Sequence, residues 1–276
     1  MKELQKVTPA SAEWTYLAFQ AIELAPGESA THSEADREQA VVPLAGPATL
    51  AFDGQEHSVS RSSVFEHLAA VGYVPPGIDI TVTAGDSPFT YAVGSAPAEG
   101  RYAAKLVPPS VIRSEVRGGG MALRQVNHTL AMPIEAERLI LYEVYVPRGT
   151  WSGWPPHCHD GLDGSPYLEE VYYFRMDRPE GYWMHRNWRD NGPDGDHFND
   201  LWSGGDGDLA LVPRGYHSSV ACPGANMYFL NYLAGELEGD DRRTPPCFHS
   251  DHTWIEQDWS AGTWGLPVVT NGDVRD

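Results

Sequence analysis

Val-Pro-x-Gly followed by an alternating strand occurs twice in this chain, at GYVPPGIDITV (72–82) and at ALVPRGYHSSV (210–220). Each copy lies downstream of an apolar strand that ends in a turn, QAVVPLAG (39–46) in the first half and EVYYFRMD (170–177) in the second. A β-unit present in two copies implies a duplicated fold, with the halves meeting near residues 97 to 138. The remaining pattern agrees. WTYLAFQAIEL, IDITVTAG, FTYAVGS, RLILYEVYVP, EEVYYFRM and DLALVPRG cluster or alternate β-branched and aromatic residues between Gly, Pro and Asp turns. Helical periodicity is absent, apart from a turn or two near the C-terminus. Many short antiparallel strands at this spacing mean a sandwich or barrel. The expectation is an all-β protein of two antiparallel barrels, residues 1–115 and 116–276. The segment RGGGMALRQV (117–126), too glycine-rich for a regular element, falls at the junction.

Charge narrows the partners. The formal net charge is −19, from 38 acidic against 19 basic residues. Nucleic acid and anionic membrane both require a cationic surface, so neither is expected as a partner. No apolar run approaches the roughly 20 residues of a membrane span, and MKELQKVTPASAEW is too polar for a signal sequence, so a cytoplasmic protein is expected. Cys158, Cys222 and Cys247 are scattered without a Cys-x-x-Cys pair, which indicates neither a disulfide framework nor a zinc knuckle.

The chemistry-bearing residues concentrate in the second half. Residues i and i+2 of a strand share a face, so His157 and His159 project together while Cys158 points away. A third histidine, His217, follows Pro213-Arg214-Gly215-Tyr216, a tight turn that swings the next strand back toward the first. Imidazole suits zinc, iron, manganese or nickel, and three nitrogen ligands with one carboxylate form a common catalytic site with open positions. Glu169 or Glu170 supplies the carboxylate, and strand alternation permits only one of them to face inward.

Gly153-x3-His157-x-His159 with its downstream Glu, then Gly207-x5-Pro213-x-Gly215-x-His217, resembles the two metal motifs of the cupin superfamily. The second motif is one residue shorter than the common spacing, and the loop from His159 to Glu170 is longer. Through SGWPPHCHD, EEVYYF, LALVPRGYHS, YFLNYLAG, SVFEHLAAVGYVPPG, SAPAE and RQV, most of residues 20 to 236 resembles the 5-deoxy-glucuronate isomerases of inositol catabolism, which are bicupins. A related uronate isomerase carries a single Glu before the Val-Tyr of this strand, so the resemblance favours Glu170 as ligand. It implies one divalent ion per chain held by His157, His159, Glu170 and His217, with Zn or Mn preferred and Fe or Ni allowed. It also implies a small anionic sugar-acid substrate and a homo-oligomer.

The repeat adds what the resemblance does not. Aligning Val74-Pro75-Pro76-Gly77 on Val212-Pro213-Arg214-Gly215 sets Asp79 against His217, Gln39 against Glu170 and Glu38 against Glu169. His32 is the only histidine where the His-x-His pair belongs, so the first barrel is expected to keep the fold without the metal.

The implied reaction interconverts 5-deoxy-D-glucuronate and 5-dehydro-2-deoxy-D-gluconate, moving a proton between adjacent carbons through an enediol. A divalent metal serves it as a Lewis acid. Metal-bound hydroxide, Asp160 and Tyr172 are the candidate bases, and Arg186 or Arg214 the candidate cation for the substrate carboxylate. The stretch YWMHRNWRDNG (182–192) departs from the family pattern, so the resemblance assigns no role to His185 or Arg186. The same ligand set also serves iron-dependent cupin dioxygenases, and a sugar-binding bicupin without turnover is a further alternative.

Overall fold

The computed structural model describes residues 1–260. Among them, regular structure is strand apart from one α-helical turn, Pro9–Ala12, and five short 3-10 segments, two of them near the C-terminal end. The nine strands between Lys2 and Val107 form one hydrogen-bonded set. The eleven between Arg113 and Phe248 form a six-stranded and a five-stranded sheet.

The two halves repeat one topology. In the first, Ala18–Leu24 pairs with Phe89–Pro97, then Arg37–Phe52, then Val71–Val74. In the second, Ile140–Val146 pairs with Met227–Gly235, then Leu168–Met176, then Leu209–Val212. The correspondence holds residue by residue: Gln39 lies opposite Val74 as Glu170 lies opposite Val212. The fold is a bicupin.

The two main sheets pack back to back, so their central strands are buried on both faces and read as continuous apolar runs. Along Leu168–Met176, Val171 and Tyr173 join the core between the halves, whereas Tyr172, Phe174 and Met176 face the second barrel's interior. Along Met227–Gly235, Tyr228, Leu230 and Tyr232 point to the shared core, and Met227 and Phe229 point inward. The contact is close: a Cβ on Gly94 would lie 2.3 Å from the Tyr232 ring, so a side chain there would separate the sheets.

Two carboxylates lock the halves reciprocally. Glu169, fully buried on the shared face, accepts the backbone N–H groups of Thr15, Tyr16 and Leu17 at 2.7–2.8 Å. Glu38, its counterpart in the first half, accepts those of Glu137, Arg138 and Leu139 at 2.5–2.8 Å, and the Tyr73 hydroxyl as well. Each segment leads into the strand that continues its own sheet, so each half's carboxylate satisfies the other half's strand entry. A third tie is the buried pair Arg61–Glu143 at 2.6 Å, with the Tyr228 hydroxyl donating to the same carboxylate at 2.8 Å.

The glycine-rich junction differs from its sequence reading. Arg113–Arg117 and Arg124–Leu130 are paired strands, and the glycines occupy only the bend between them. Local composition hid a ladder whose partners lie across the turn.

Removing either locking carboxylate leaves three backbone N–H donors in the buried or part-buried seam without acceptors. Glu38→Ala and Glu169→Ala should each cost at least about 3 kcal/mol, read as a lower midpoint in urea unfolding. Stability within about 1 kcal/mol of the parent would remove the reciprocal lock from the account.

Candidate metal centre

The histidine strand Trp151–Cys158 runs antiparallel to Tyr216–Ala221, with His157 directly opposite His217. Two glycines set this geometry. Gly153 has φ +68°, and a Cβ there would press within 3.2 Å of the His217 carbonyl. Gly215 has φ +81°, and a Cβ would meet Phe198 at 2.5 Å and the Trp188 carbonyl at 2.7 Å. Only glycine permits the turn that delivers His217 to the barrel interior.

Nitrogens of His157, His159 and His217 lie within 4.8 Å of one another. Glu170 Oε2 completes the cluster, 2.9 Å from His159 Nε2 and 3.3 Å from His217 Nε2. His159 donates its Nδ1–H to the Leu168 carbonyl at 2.9 Å, which turns the Nε2 lone pair inward. His217 Nε2 is buried without a hydrogen-bond partner among the described residues. A buried orphan nitrogen beside two further imidazoles and a carboxylate is a donor set that fits a divalent transition ion.

The electrostatics agree with a cation site. Burial, reinforced by the neighbouring histidines, holds His157 well below the usual imidazole range, so it is neutral and able to ligate. Burial opposes the charge on Glu170, but the hydrogen bond with His159 and the imidazole of His217 beside it outweigh that and hold the carboxyl below its ordinary value. For His159, burial pulls down while the Glu170 hydrogen bond and charge pull up and prevail.

His157, His159 and Glu170 line a cavity of about 400 Å³ inside the second barrel, with His217 buried beside them. Tyr172 lines it beside Glu170, and burial together with the Glu170 charge pushes its phenol well above the ordinary range. Three other residues considered from the sequence lie elsewhere. Asp160 accepts from the Arg189 side chain and from the Gly215 backbone N–H at 2.6 Å, so it braces the turn before His217 rather than facing the cavity. Arg186 stacks over Trp188 at 4.0 Å and donates to Asn199 at 2.8 Å on an outer strand. Arg214 pairs with Asp196 at 2.7 Å. The cations that do line the cavity are Arg113, Arg117, Arg124, Arg242 and Arg243, which sequence reasoning missed. One of them, Arg124, opens the RQV stretch that contributed to the resemblance.

Two other placements bear on metal binding. In the first half Gln39 stands at the register position of Glu170, and His32 is taken up by a 2.8 Å hydrogen bond with Tyr91. Apolar side chains, among them Val41, Leu50, Ile80 and Phe89, fill that interior. On the outer face of the histidine strand, Cys158 pairs with Cys247, and with Asp163 they offer three donor atoms within 4.8 Å. Arg189 lies against Cys158, a poor neighbour for a cation, and we assign no ion there.

The model of the KduI/IolB family matches residues 1–255. The 5-deoxy-glucuronate isomerase of Geobacillus thermodenitrificans is 33% identical over 254 residues, 91% of this chain and 90% of the relative. That of Bacillus subtilis strain 168 is 30% identical over 261 residues, 92% of this chain and 93% of the relative. The crystal structure of an IolB-like protein from Salmonella typhimurium LT2 superposes with a TM-score of 0.85 at 32% identity, covering 92% of this chain and 95% of that one. Bacillus subtilis oxalate decarboxylase, described with Mn(II) centres, has a TM-score of 0.56 at 12% identity over 83% of this chain and 72% of its own, a likeness of fold alone.

The cluster makes two adjacent glutamates separable by experiment. Alanine at His157, His159, Glu170 or His217 should weaken metal binding by more than about tenfold, the loss that even an outer hydrogen-bond partner can cause. Glu169→Ala, although less stable, should retain about one ion per folded chain by elemental analysis. Loss of metal from Glu169→Ala with retention in Glu170→Ala would reverse the assignment.

Proposed function

The chain belongs to the KduI/IolB family, and from that membership we propose that it is a metal-dependent isomerase acting on 5-deoxy-D-glucuronate to give 5-dehydro-2-deoxy-D-gluconate in inositol catabolism. The observation that carries the reading is one cavity that brings His157, His159 and Glu170, with His217 buried beside them, together with a wall of arginines, in a chain of net charge −19. A small sugar acid needs that pairing: a cation site for its vicinal oxygens and a cationic wall for its carboxylate. Among the described residues no helix is long and apolar enough to cross a membrane.

The reaction transfers hydrogen within one molecule. The carbon bearing the hydroxyl next to the aldehyde loses a proton, its oxygen becomes the ketone, and the former aldehyde carbon gains a proton and becomes an alcohol. No external oxidant takes part. His157, His159, Glu170 and His217 would hold the divalent ion, which when bound supplies Lewis acidity to the carbonyl and hydroxyl oxygens. Tyr172 is held protonated by burial and by the adjacent Glu170 charge, which suits it to give and recover a proton at oxygen rather than to abstract one from carbon. Asn231 shares the cavity wall with Tyr172 and offers an amide to a sugar hydroxyl. Apolar side chains such as Phe229, Val144 and Leu233 complete the wall and exclude water from the reacting carbons.

Zinc is redox-inert, so zinc-reconstituted protein should convert the uronate under strict anaerobiosis. Proton NMR in heavy water should show ketose signals growing in, with solvent deuterium entering the new alcohol carbon if the transferred proton exchanges. Activity that requires iron and oxygen would exchange this reading for a dioxygenase. Tyr172→Phe should lower kcat by about 10²-fold or more, the usual contribution of a positioned acid, with metal content unchanged.

A further inference from the structure

Of the five arginines in the cavity wall, four have their guanidinium groups committed. Arg113 and Arg117 both bind Glu115, which also meets His128 at 3.0 Å. Arg243 pairs with Asp240 at 2.9 Å. Arg242 is buried and donates to the carbonyls of Gly239, Leu139 and Ile134, which ties down the chain segment around it.

Arg124 differs. Its Nη1 donates to two carbonyls, Ala122 and Trp154, both at 3.1 Å. Among the described residues its Nε and Nη2 have no protein partner and no carboxylate forms an ion pair with it. Glu115 and Glu256 act on it only at longer range. Burial, with Arg117 adding repulsion, lowers its pKa to about 10, the mark of a cation removed from water without a compensating anion. It is near enough to the metal cluster for its charge to act on His157 and Tyr172. The glycine-rich bend accounts for its position. Gly118 has φ +72°, and a Cβ there would crowd Arg124 Nη1 at 2.8 Å and the Ala122 carbonyl at 2.3 Å, so the bend is glycine where the guanidinium must lie.

We propose that Arg124 is the carboxylate-recognising residue of the cavity. The pair of N–H groups on its Nε and Nη2 edge takes the carboxylate of a sugar acid in a two-point contact, while Nη1, anchored to the chain, fixes the plane of the fork. The opposite end of the substrate, with its carbonyl and neighbouring hydroxyl, then lies toward His157, His159, Glu170 and His217. Assigning which end carries the reacting carbons rests on the isomerase reading; recognition of a carboxylate at Arg124 does not.

The test compares an acid with its neutral counterpart. Titration calorimetry of metal-loaded protein with D-glucuronate and with D-glucose should show the acid binding at least about tenfold more tightly. Arg124→Gln should abolish that preference at unchanged metal content. Arg124→Lys, which keeps the charge but loses the fork, should keep only part of it and serves as the readout if Arg124→Gln does not fold. With 5-deoxy-D-glucuronate as substrate, KM should rise about tenfold or more in Arg124→Gln while kcat falls less. A preference for the acid that survives in Arg124→Gln, or is undiminished in Arg124→Lys, or is missing from the parent protein, would overturn the proposal. A parent protein that prefers the acid through Arg124 yet turns over no uronate would sink the isomerase reading and leave the carboxylate site standing.

Discussion

The strand Leu168–Met176 is buried on both faces, and the rest of the molecule is organised by that constraint. Successive side chains must go to opposite sides, so Glu169 and Glu170 are sent to different environments by geometry alone. Glu169 enters the seam between the halves and closes three backbone N–H groups of the N-terminal segment. Glu170 enters the barrel and meets two histidines. A shift of one residue in pairing would exchange them, burying the barrel's carboxylate in the seam and leaving the seam's donors open. The register that holds the fold together is therefore the register that builds the site.

The duplication divides the labour. Both halves keep the locking carboxylate, Glu38 and Glu169, because each half needs its neighbour's strand entry satisfied. Only the second keeps its interior polar and hollow. In the first, Gln39 replaces the inward glutamate and Val41, Phe89 and Tyr91 fill the space. A filled barrel is a rigid platform, and the back-to-back sheets transmit that rigidity to the strand carrying Glu170. On this account the first half acts on catalysis by holding the Glu170 strand in place.

Much of this was legible in the sequence because it is written locally. The repeat, the His-x-His pair, the Pro-x-Gly turn and the alternation of Glu169 and Glu170 each depend on spacings of a few residues, and the ladders reproduce them. The cationic wall was not legible in the same way. Arg186 and Arg214 stood close to the histidines in sequence, but their side chains project outward onto Trp188 and toward Asp196. Arg124 lies 33 positions before His157 and reaches the cavity through strand pairing across the junction, which no local pattern encodes. Its signals are Gly118, the first of three consecutive glycines, which gives the guanidinium clearance, and the RQV stretch. Asp160 shows a related limit: proximity to the histidines in sequence sets it on the turn that supports them, where Arg189 and Gly215 occupy it.

Of the two similar barrels, only the second is proposed to hold a catalytic ion. Anomalous diffraction from crystals grown with zinc, recorded on both sides of the zinc absorption edge, tests it directly. A single strong peak per chain, bounded by His157, His159, Glu170 and His217, is the expected result. A peak of comparable height in the first barrel beside Gln39 and His32, or at Cys158 and Cys247 with none among the three histidines, would contradict it.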